Sequence, residues 1–469
     1  MKKSLLLLSC CLLLHFSTQS QKKETKPVVV KDEKKDEVPL LGITFRNIGP
    51  AVTSGRIADV AVNPNNIYEY YVASASGGVW KTTNAGTTYE PIFDGQGSYS
   101  IGCVTIDPNN TNIVWVGSGE NNNQRSVSYG DGVYKSEDGG ASWKNMGLKT
   151  SEHIGKILID PRNSEVVYVA AIGPLWKEGG ERGVYKTTDG GKTWSQVLKL
   201  DEHTGVNDIL MDPRNPEVLY ATAFQRRRHD YAYISGGPGS GMFKTTDGGK
   251  TWDKINKGLP EDKGRIGLAM SPADPEYIYA MVEAAKEAGF YRTTNRGASW
   301  QKMSSHQTGG NYYNEVIADP KNRDRVYTMG YAISVSDDGG KNFHPIGEKS
   351  KHVDNHSLWV NPTNTNHMIN GCDGGLYETW DGAKTWAFKA NLPVTQFYKV
   401  EVDNSEPFYF VYGGTQDNFS LGGPSRTRNE SGILNSDWFV TNGGDGFESA
   451  IQTSCMLNRS MVVWCVLIK

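Results

Sequence analysis

Short apolar segments separated by turn residues recur along the chain from about residue 42 to residue 452. In one repeated phrase, the apolar run Ile157–Ile159 leads into Asp160-Pro161 and then into a second run, Val166–Val169. Because proline cannot donate to a sheet ladder, it marks the end of a first strand and the turn into a second. The same phrase recurs around six other prolines, Pro64, Pro108, Pro213, Pro272, Pro320 and Pro362.

A second phrase recurs in phase with the first and predicts a tight turn between a third and a fourth strand. Its copy at Thr187–Trp194 follows the pattern Ser/Thr-x-Asp/Asn-x-Gly-x-Ser/Thr-aromatic, which five copies satisfy. Two further copies are degenerate, with Asn342 in place of the second hydroxyl residue and Ala383 in place of the glycine. We call these segments the repeat turns; their anchor residues are Asn84, Asp138, Asp189, Asp247, Asn295, Asp338 and Asp381.

The chemistry of the repeat turns favours a structural role. The Asp or Asn side chain accepts backbone N–H groups within its own turn, the glycine adopts a positive φ, and the aromatic residue packs on the neighbouring sheet. Four short strands per unit, with anchors 43 to 58 residues apart, indicate an all-β fold, a β-propeller of four-stranded blades. About eight blades are expected: seven with repeat turns, and an eighth from about Phe397 to Val440. A ninth would begin at Asp445 and be incomplete.

The repeat turns resemble the Asp-boxes of bacterial-neuraminidase-repeat propellers. With Gly413-Gly414-Thr415-Gln416-Asp417-Asn418 and Gly443-Gly444-Asp445-Gly446 near the end, the order of repeats is similar to the sortilin-type N-terminal propeller region. It is more distantly similar to the xyloglucan hydrolases. The resemblance implies the fold over about residues 42 to 452 and leaves function to the individual site. Sortilin-type propellers have ten blades, so a single ring here would be open unless Ile43–Ile48 closed it.

The two ends differ from the repeats. Residues 1–20 are typical of a secretory signal, with Lys2 and Lys3 before an apolar core, and they predict a secreted, periplasmic or cell-surface protein. Cys10 or Cys11 could alternatively carry a lipid anchor. Residues 21–40 are rich in both charges and predict a solvated tether before the propeller of residues 41–452. Residues 453–469 lack the repeat phrases and suggest a truncated or altered terminus.

Composition narrows the function. The 469 residues include 49 Lys and Arg and 52 Asp and Glu, which gives a net charge of −3. The chain therefore lacks the overall positive charge that would attract nucleic acid. No apolar run after residue 16 reaches the ~20 residues of a membrane span. The four cysteines beyond the signal match no metal or disulfide spacing. We therefore expect no cofactor, no nucleic acid, no transmembrane segment and a monomer.

The loop before the first strand of each blade, its leading loop, carries polar residues that the propeller should bring to one mouth of the channel. They are Arg56, His153, His203, Arg265, Tyr312, Tyr313 and His352. A ligand site and an ordinary wet channel mouth both fit this pattern. If residues 352–356 form a strand, His352, Asp354 and His356 share one face and could hold a divalent metal, although an extended strand spreads them over ~13 Å.

Insertions after the second strands are further candidates for ligand contact. The loop in blade two contains Glu120 and Arg125 and ends at Asp131. Trp176 lies in the insertion of blade three. Blade four inserts Arg226, Arg227 and Arg228, followed by Tyr231 and Tyr233. These residues could stack on sugars or clamp an acidic peptide, or they could be ordinary solvated loops.

Enzymatic activity is left open by the sequence. In the xyloglucan hydrolases a catalytic Asp of the first blade stands two residues before a Gly-Gly pair, where this chain has Ala75. Sialidases need an arginine triad on six blades, which Phe45–Ile48 resembles only superficially. Glycoside hydrolysis needs two carboxylates at ~5–10 Å, and the available ones are Glu120, Asp131, Asp354, Asp373, Asp417 and Asp445. Three hypotheses remain: a peptide- or glycan-binding propeller, a glycoside hydrolase, and a scaffold domain of a longer secreted protein.

Overall fold

The computed structural model describes residues 45–124 and 127–450 and the backbone of residues 451–452, 455–460 and 463–468. The chain divides into two units, Met1–Asn47 and Ile48–Lys469. In the first unit only residues 45–47 are described, and they form no regular element. The predicted signal, the predicted tether and Arg125 therefore lie outside the described residues.

The second unit is built from antiparallel sheets whose strands follow one another in chain order. Among the described residues, eight sheets have four strands or more, as the repeats predict. Blade one comprises Ile57–Val62, Tyr70–Ser74, Val79–Thr82 and Glu90–Pro91, and blade two comprises Ile101–Ile106, Val114–Ser118, Val133–Ser136 and Lys144–Gly147. Blade three comprises Ile154–Asp160, Asn163–Ala171, Gly183–Thr187 and Ser195–Leu198. Blade four comprises Thr204–Asp212, Asn215–Arg228, Tyr233–Ser235, Gly241–Thr245 and Asp253–Lys254. Blades five to seven comprise Lys263–Met270, Ile278–Ala284, Gly289–Thr293 and Gln301–Ser304; Val316–Ala318, Val326–Thr328, Ser334–Ser336 and His344–Pro345; and Asn355–Val360, Met368–Cys372, Gly375–Thr379 and Ala387–Phe388.

Seven blades close into a ring. First strands contact one another in order from blade one to blade six, and that of blade seven, Asn355–Val360, returns to that of blade one, Ile57–Val62. Buried apolar clusters fill all seven interfaces between neighbouring blades. At the closing interface Tyr70 of blade one packs with Ile369 and Leu392 of blade seven, and all three are fully buried. Burying such side chains contributes about 1.5–3 kcal/mol each, so the closing interface resembles the other six.

This closure corrects one expectation from the sequence. The sequence predicts about eight blades in one ring that stays open unless Ile43–Ile48 closes it, whereas the described residues form a ring of seven blades closed by blade seven against blade one. The eighth sheet lies outside the ring and pairs Phe397–Val402, Phe410–Thr415, Ser420–Pro424 and Phe439–Asn442, with a short 3-10 helix at Asn435–Asp437. A final three-stranded sheet comprises Glu448–Gln452, Cys455–Ser460 and Val463–Ile468. It includes part of the tail that the sequence sets apart; whether that terminus is altered stays a prediction.

The eighth sheet is fastened to the ring beside blades one and seven. The Trp438 indole N–H donates to the Ile48 carbonyl at 3.1 Å, and the Asn418 amide donates to the Asp373 carbonyl at 2.9 Å. Its loops therefore reach the mouth of the ring. The described part of the chain contains no helix long and apolar enough to cross a membrane.

The repeat turns hold the outer edges of the blades. The Asp189 carboxylate accepts the Thr187 hydroxyl at 2.7 Å, the Thr193 N–H at 2.9 Å and the Thr193 hydroxyl at 2.7 Å. The Trp194 indole donates to the Met146 carbonyl of the preceding blade at 2.8 Å. The same hydroxyl-to-anchor bond occurs at Asn84, Asp138, Asp247, Asn295, Asp338 and Asp381.

Candidate functional site at the mouth of the ring

A cavity of about 460 Å³ opens where the leading loops, the insertion of blade two and the eighth sheet meet. We call it the mouth cleft. Its walls carry charged, amide and tyrosine side chains. The residues that matter below are Arg56, Glu120, Gln124, Asn311, Tyr312, Tyr313, Asp354, Asp373, Gln396, Tyr398, Gln416 and Asp417.

Arg56 organises the base of the mouth cleft. It immediately precedes the first strand of blade one, so that strand fixes its position. Its Nε donates to Asp373 Oδ1 at 2.8 Å and its Nη2 to Asp373 Oδ2 at 3.2 Å. Its Nη1 donates to Glu120 Oε1 at 3.1 Å, and its Nη2 also bonds the Tyr312 hydroxyl. One buried guanidinium thus joins blades one, two, six and seven.

Asp373 is held as a carboxylate. It lies in the turn between Met368–Cys372 and Gly375–Thr379 and is 3% exposed. His356 Nε2 lies 2.7 Å from its Oδ1, and the Tyr312 hydroxyl donates to its Oδ2. Burial would raise the pKa of Asp373, but Arg56 and His356 hold it well below its usual range.

Asp417 of the eighth sheet lies beside the Asp373 carboxylate, but its pKa is shifted in the opposite direction. Burial, the negative charge of Asp373, a hydrogen bond with Asp373 and the charge of Asp445 together raise the pKa of Asp417 to about 7. Its backbone N–H donates to Asp445 Oδ1 at 2.9 Å. Two adjacent carboxyl groups cannot both ionise freely, so Asp417 is partly protonated near neutral pH while Asp373 is ionised.

Aromatic rings form one wall of the mouth cleft. The Tyr312 and Tyr313 ring centroids are 4.8 Å apart, and His356 meets Tyr312 edge-on at 4.8 Å. The Tyr313 hydroxyl donates to Asp354, and burial raises the pKa of both tyrosines. The wall therefore combines apolar ring faces with neutral hydroxyl groups.

Glu120 is held in place by hydrogen bonds of its backbone. Its N–H donates to the Ser100 hydroxyl at 3.1 Å, and its carbonyl lies 2.8 Å from His153 Nδ1. Burial raises the pKa of Glu120, and Arg56 opposes that shift. His153 is 1% exposed; burial and nearby Arg226 hold its pKa well below its usual range. His153 therefore supports the blade-two loop and does not line the mouth cleft, unlike the expectation for a leading-loop residue.

The metal set expected at residues 352–356 is not assembled. The first strand of blade seven begins at Asn355, and Asp354 has a φ of +62°, so strand alternation does not align the three side chains. His352 Nδ1 lies 2.8 Å from the Val353 carbonyl, Asp354 bonds Tyr313, and His356 bonds Asp373. In the portion of the chain with described side chains, no group of three or more His, Cys, Asp or Glu could hold a metal ion.

The other candidate residues lie apart from the mouth cleft. Asp131 accepts the Tyr134 hydroxyl at 2.6 Å. Trp176 is 45% exposed. His203, Arg226 and Arg227 line a second cavity, and the Arg228 guanidinium stacks 4.4 Å from the Tyr233 ring centroid.

Several lining residues were missed by sequence reasoning. Gln396 lies between the seventh blade and the eighth sheet, and Tyr398 lies in the first strand of that sheet; neither belongs to a repeat phrase. One feature of the chain could have indicated that Asp373 and Asp417 belong to the site. Both follow the second strand of their sheet, as Glu120 does in blade two. Ala75 holds the equivalent place in blade one and is fully buried.

Comparisons with known proteins agree with this architecture. A model of the Sortilin-Vps10 family (sortilin, neurotensin receptor 3) matches residues 131–242. A Paenibacillus xyloglucanase is 26% identical over 242 residues, 46% of this chain and 22% of the relative. A xyloglucanase of Acetivibrio thermocellus is 24% identical over 223 residues, 42% of this chain and 25% of the relative. These matches span about a quarter or less of the relatives' length.

Solved structures extend the likeness to most of the chain. The GH74 xyloglucanase from Xanthomonas campestris superimposes with a TM-score of 0.58 and 14% identity, covering 80% of this chain and 59% of that one. An ancestral GH74 enzyme gives a TM-score of 0.62 and 16% identity, covering 89% and 59%. At such identity the likeness establishes the fold alone. The chain is an all-β propeller similar to both the sortilin-type and the xyloglucanase propellers.

Proposed function

We propose that the mouth cleft binds a glycan. The observation that carries this proposal is the combination of tyrosine faces, side-chain amides and carboxyl groups around one open cavity of about 460 Å³. Sugar rings present apolar C–H faces and a dense set of hydroxyl groups. Tyr312 and Tyr313 offer surfaces for the former, while Gln396, Gln416 and others offer hydrogen bonds for the latter.

A glycan suits the site better than a peptide of strong charge. The cation of Arg56 is neutralised by Asp373 and Glu120, so it is not available for an acidic peptide. Asp417 is partly protonated near neutral pH and can donate to a hydroxyl or accept from one. The xyloglucanase relatives support the same ligand class.

Glycoside hydrolysis is a second candidate function, favoured by the raised pKa of Asp417. A carboxylic acid that keeps its proton near pH 7 is suited to protonate a leaving oxygen. Asp373 is hydrogen-bonded to Asp417 and is therefore closer than the ~5–10 Å that the two carboxyl groups of glycosidases keep. Glu120 and Asp354, which also line the cleft, are the alternative partners. Ala75 leaves the first blade without a carboxylate at the position used by xyloglucan hydrolases.

A glycan array followed by calorimetry tests the proposal. We expect the wild-type chain to bind one glycan class, and Tyr313→Ala or Asp417→Asn to weaken that binding by about tenfold. Asp189→Asn, at a repeat turn on the outer edge, is the matched control and should bind as the wild type does. A wild-type chain that binds no glycan, or variants that bind unchanged, would refute the proposal.

Hydrolysis is measured on the same glycan by the release of reducing ends. Loss of turnover in Asp417→Asn with retained binding would support the second candidate. Binding without turnover in the wild type would exclude it and leave glycan binding intact. Export through the N-terminal signal remains a separate prediction from the sequence.

A further inference from the structure

Four arginines of blades three and four form no ion pair with a carboxylate among the described residues: Arg182, Arg226, Arg227 and Arg228, the last of which donates to the Asn123 carbonyl. Arg182 donates to the carbonyls of Ile172 and Gly179 at 3.0 and 2.8 Å. Arg226, fully buried, donates to the carbonyl of Gly173 at 2.9 Å and to the Asn123 side chain. Arg227 forms no ion pair with any residue that the structure describes. In contrast, Arg56, Arg162, Arg214 and Arg265 each meet a carboxylate.

Two of these arginines line a separate cavity of about 190 Å³, which we call the arginine pocket. Arg226 and Arg227 share its walls with Gln225, His203, His229 and Ile234. Glu178 is the one carboxylate among its described lining residues. Two guanidinium groups and two imidazoles therefore face one acidic side chain.

Three N–H-bearing nitrogens of the two arginines that line the arginine pocket lack a hydrogen-bond acceptor among the described residues. Nε and Nη1 of Arg227 and Nε of Arg226 are covered from solvent and have no acceptor among the described residues. Buried N–H groups of a cation without an acceptor are unfavourable. Burial and the charge of Arg182 lower the pKa of Arg226 to about 9, and burial and Arg227 lower that of Arg182 to about 10. An anion in the pocket would reduce the repulsion among these neighbouring cations.

The arginine pocket connects to the mouth cleft through one loop. Arg226 Nη1 donates to the Asn122 carbonyl at 3.2 Å, and Arg228 Nη2 donates to the Asn123 carbonyl at 3.1 Å. The same loop carries Glu120 and Gln124, which line the mouth cleft. Both sites are therefore anchored to the same loop of blade two.

We infer that the arginine pocket binds the oxyanion of an acidic glycan, either the carboxylate of a uronic acid or a sulfate ester. This inference rests on the proposed glycan-binding function and specifies the ligand class. Guanidinium groups recognise both oxyanions through paired, charge-assisted hydrogen bonds. His229 and Tyr231, whose rings stack at 5.3 Å and 12° beside the pocket, offer a face for the adjoining sugar.

Calorimetry with three matched probes tests the inference: an oligogalacturonide, its carboxyl-reduced neutral counterpart, and a sulfated galactan oligosaccharide of the same length. We expect at least one acidic probe to bind about tenfold or more tighter than the neutral probe. Arg227→Gln should abolish that preference without weakening neutral binding. Arg162→Gln, an exposed arginine paired with Asp160, is the control and should retain the preference. Binding of only one acidic probe would identify its oxyanion and still support the pocket.

The outcomes separate the inference from the proposed function. Equal binding of acidic and neutral probes by the wild type would overturn the arginine pocket and leave glycan binding intact. A preference retained in Arg227→Gln would also overturn it. If none of the probes binds and the glycan array is empty, both proposals fail. Circular dichroism checks folding of each variant; should Arg227→Gln misfold, His203→Gln, at an exposed position on the pocket wall, is expected to reduce the preference, and an unchanged preference there would contradict the inference.

Discussion

Replacing Arg56 by glutamine should destabilise the mouth of the ring more than any surface ion-pair change. The Arg56, Asp373 and Glu120 side chains are 7%, 2% and 5% exposed, so the variant leaves two buried carboxyl groups without their cation. Removing one partner of a buried pair costs about 3–5 kcal/mol. With an unfolding entropy of ~2.1 cal/mol/K per residue over Ile48–Lys469, Tm should fall by about 3–6 °C.

A double-mutant cycle isolates the pair. Tm and urea denaturation are measured for Arg56→Gln, Asp373→Asn and the double variant. The control is the same cycle on an exposed pair, Arg323→Gln with Asp274→Asn, in which the Arg323 side chain is 50% exposed. We expect a coupling energy of about 2–3 kcal/mol for Arg56 with Asp373, and a smaller one for the solvent-screened control pair. A coupling below ~1 kcal/mol would refute the view that Arg56 organises the site.

The pH dependence provides a second check on the same variant. The folded-state pKa of Asp373 lies well below its usual range, so its contribution is present above pH ~4 and is lost as pH falls through the folded-state pKa. Without Arg56 that pKa should rise. The Tm difference between the wild type and Arg56→Gln should therefore be largest near pH 7 and shrink in acid, and a constant difference would contradict the assignment.

Three further outcomes are expected. Asp417 has a folded-state pKa of about 7, above the ~3.9 of an unfolded Asp, so the stability that its protonated form contributes is lost as pH rises through 7. The Tm of Asp417→Asn minus the Tm of the wild type should therefore increase from pH 4 to pH 8. A difference that does not change with pH would exclude the pKa shift. Asp189→Ala should lower Tm more than Asp189→Asn, because asparagine anchors the same turn elsewhere in the chain; equal effects would argue against the anchor bonds. Ile369→Ala at the closing interface should cost about 2–5 kcal/mol, as should Ile278→Ala between blades four and five, whereas a negligible cost at Ile369 would mean that the ring is open.

The repeated phrases predict the blades well because each blade is a local unit. The Asp-Pro turn and the repeat turn act within a few residues, so the sequence alone indicates four strands per unit and the role of Asp189 within its turn. Closure of the ring depends instead on Tyr70 packing against Ile369, almost 300 residues away. No local signal distinguishes that closure from an open ring with more blades.

The candidate site was predictable only in part for the same reason. Arg56 and Glu120 stand out in their loops, but their connection through Asp373 depends on where blades one, two and seven meet. Strand alternation fails at Asp354, because a positive φ turns the backbone just before the strand begins. The raised pKa of Asp417 arises from its burial and from the nearby charge of Asp373, and both require the eighth sheet to lie beside the ring.

The glycan-binding proposal is tested most directly by a crystal structure of the chain with the tightest-binding glycan from the array. We expect a sugar ring in the mouth cleft, against Tyr312 and Tyr313 and within hydrogen-bond distance of Asp417. A glycan bound only at the repeat turns on the outer edge, with the mouth cleft holding solvent, would contradict it.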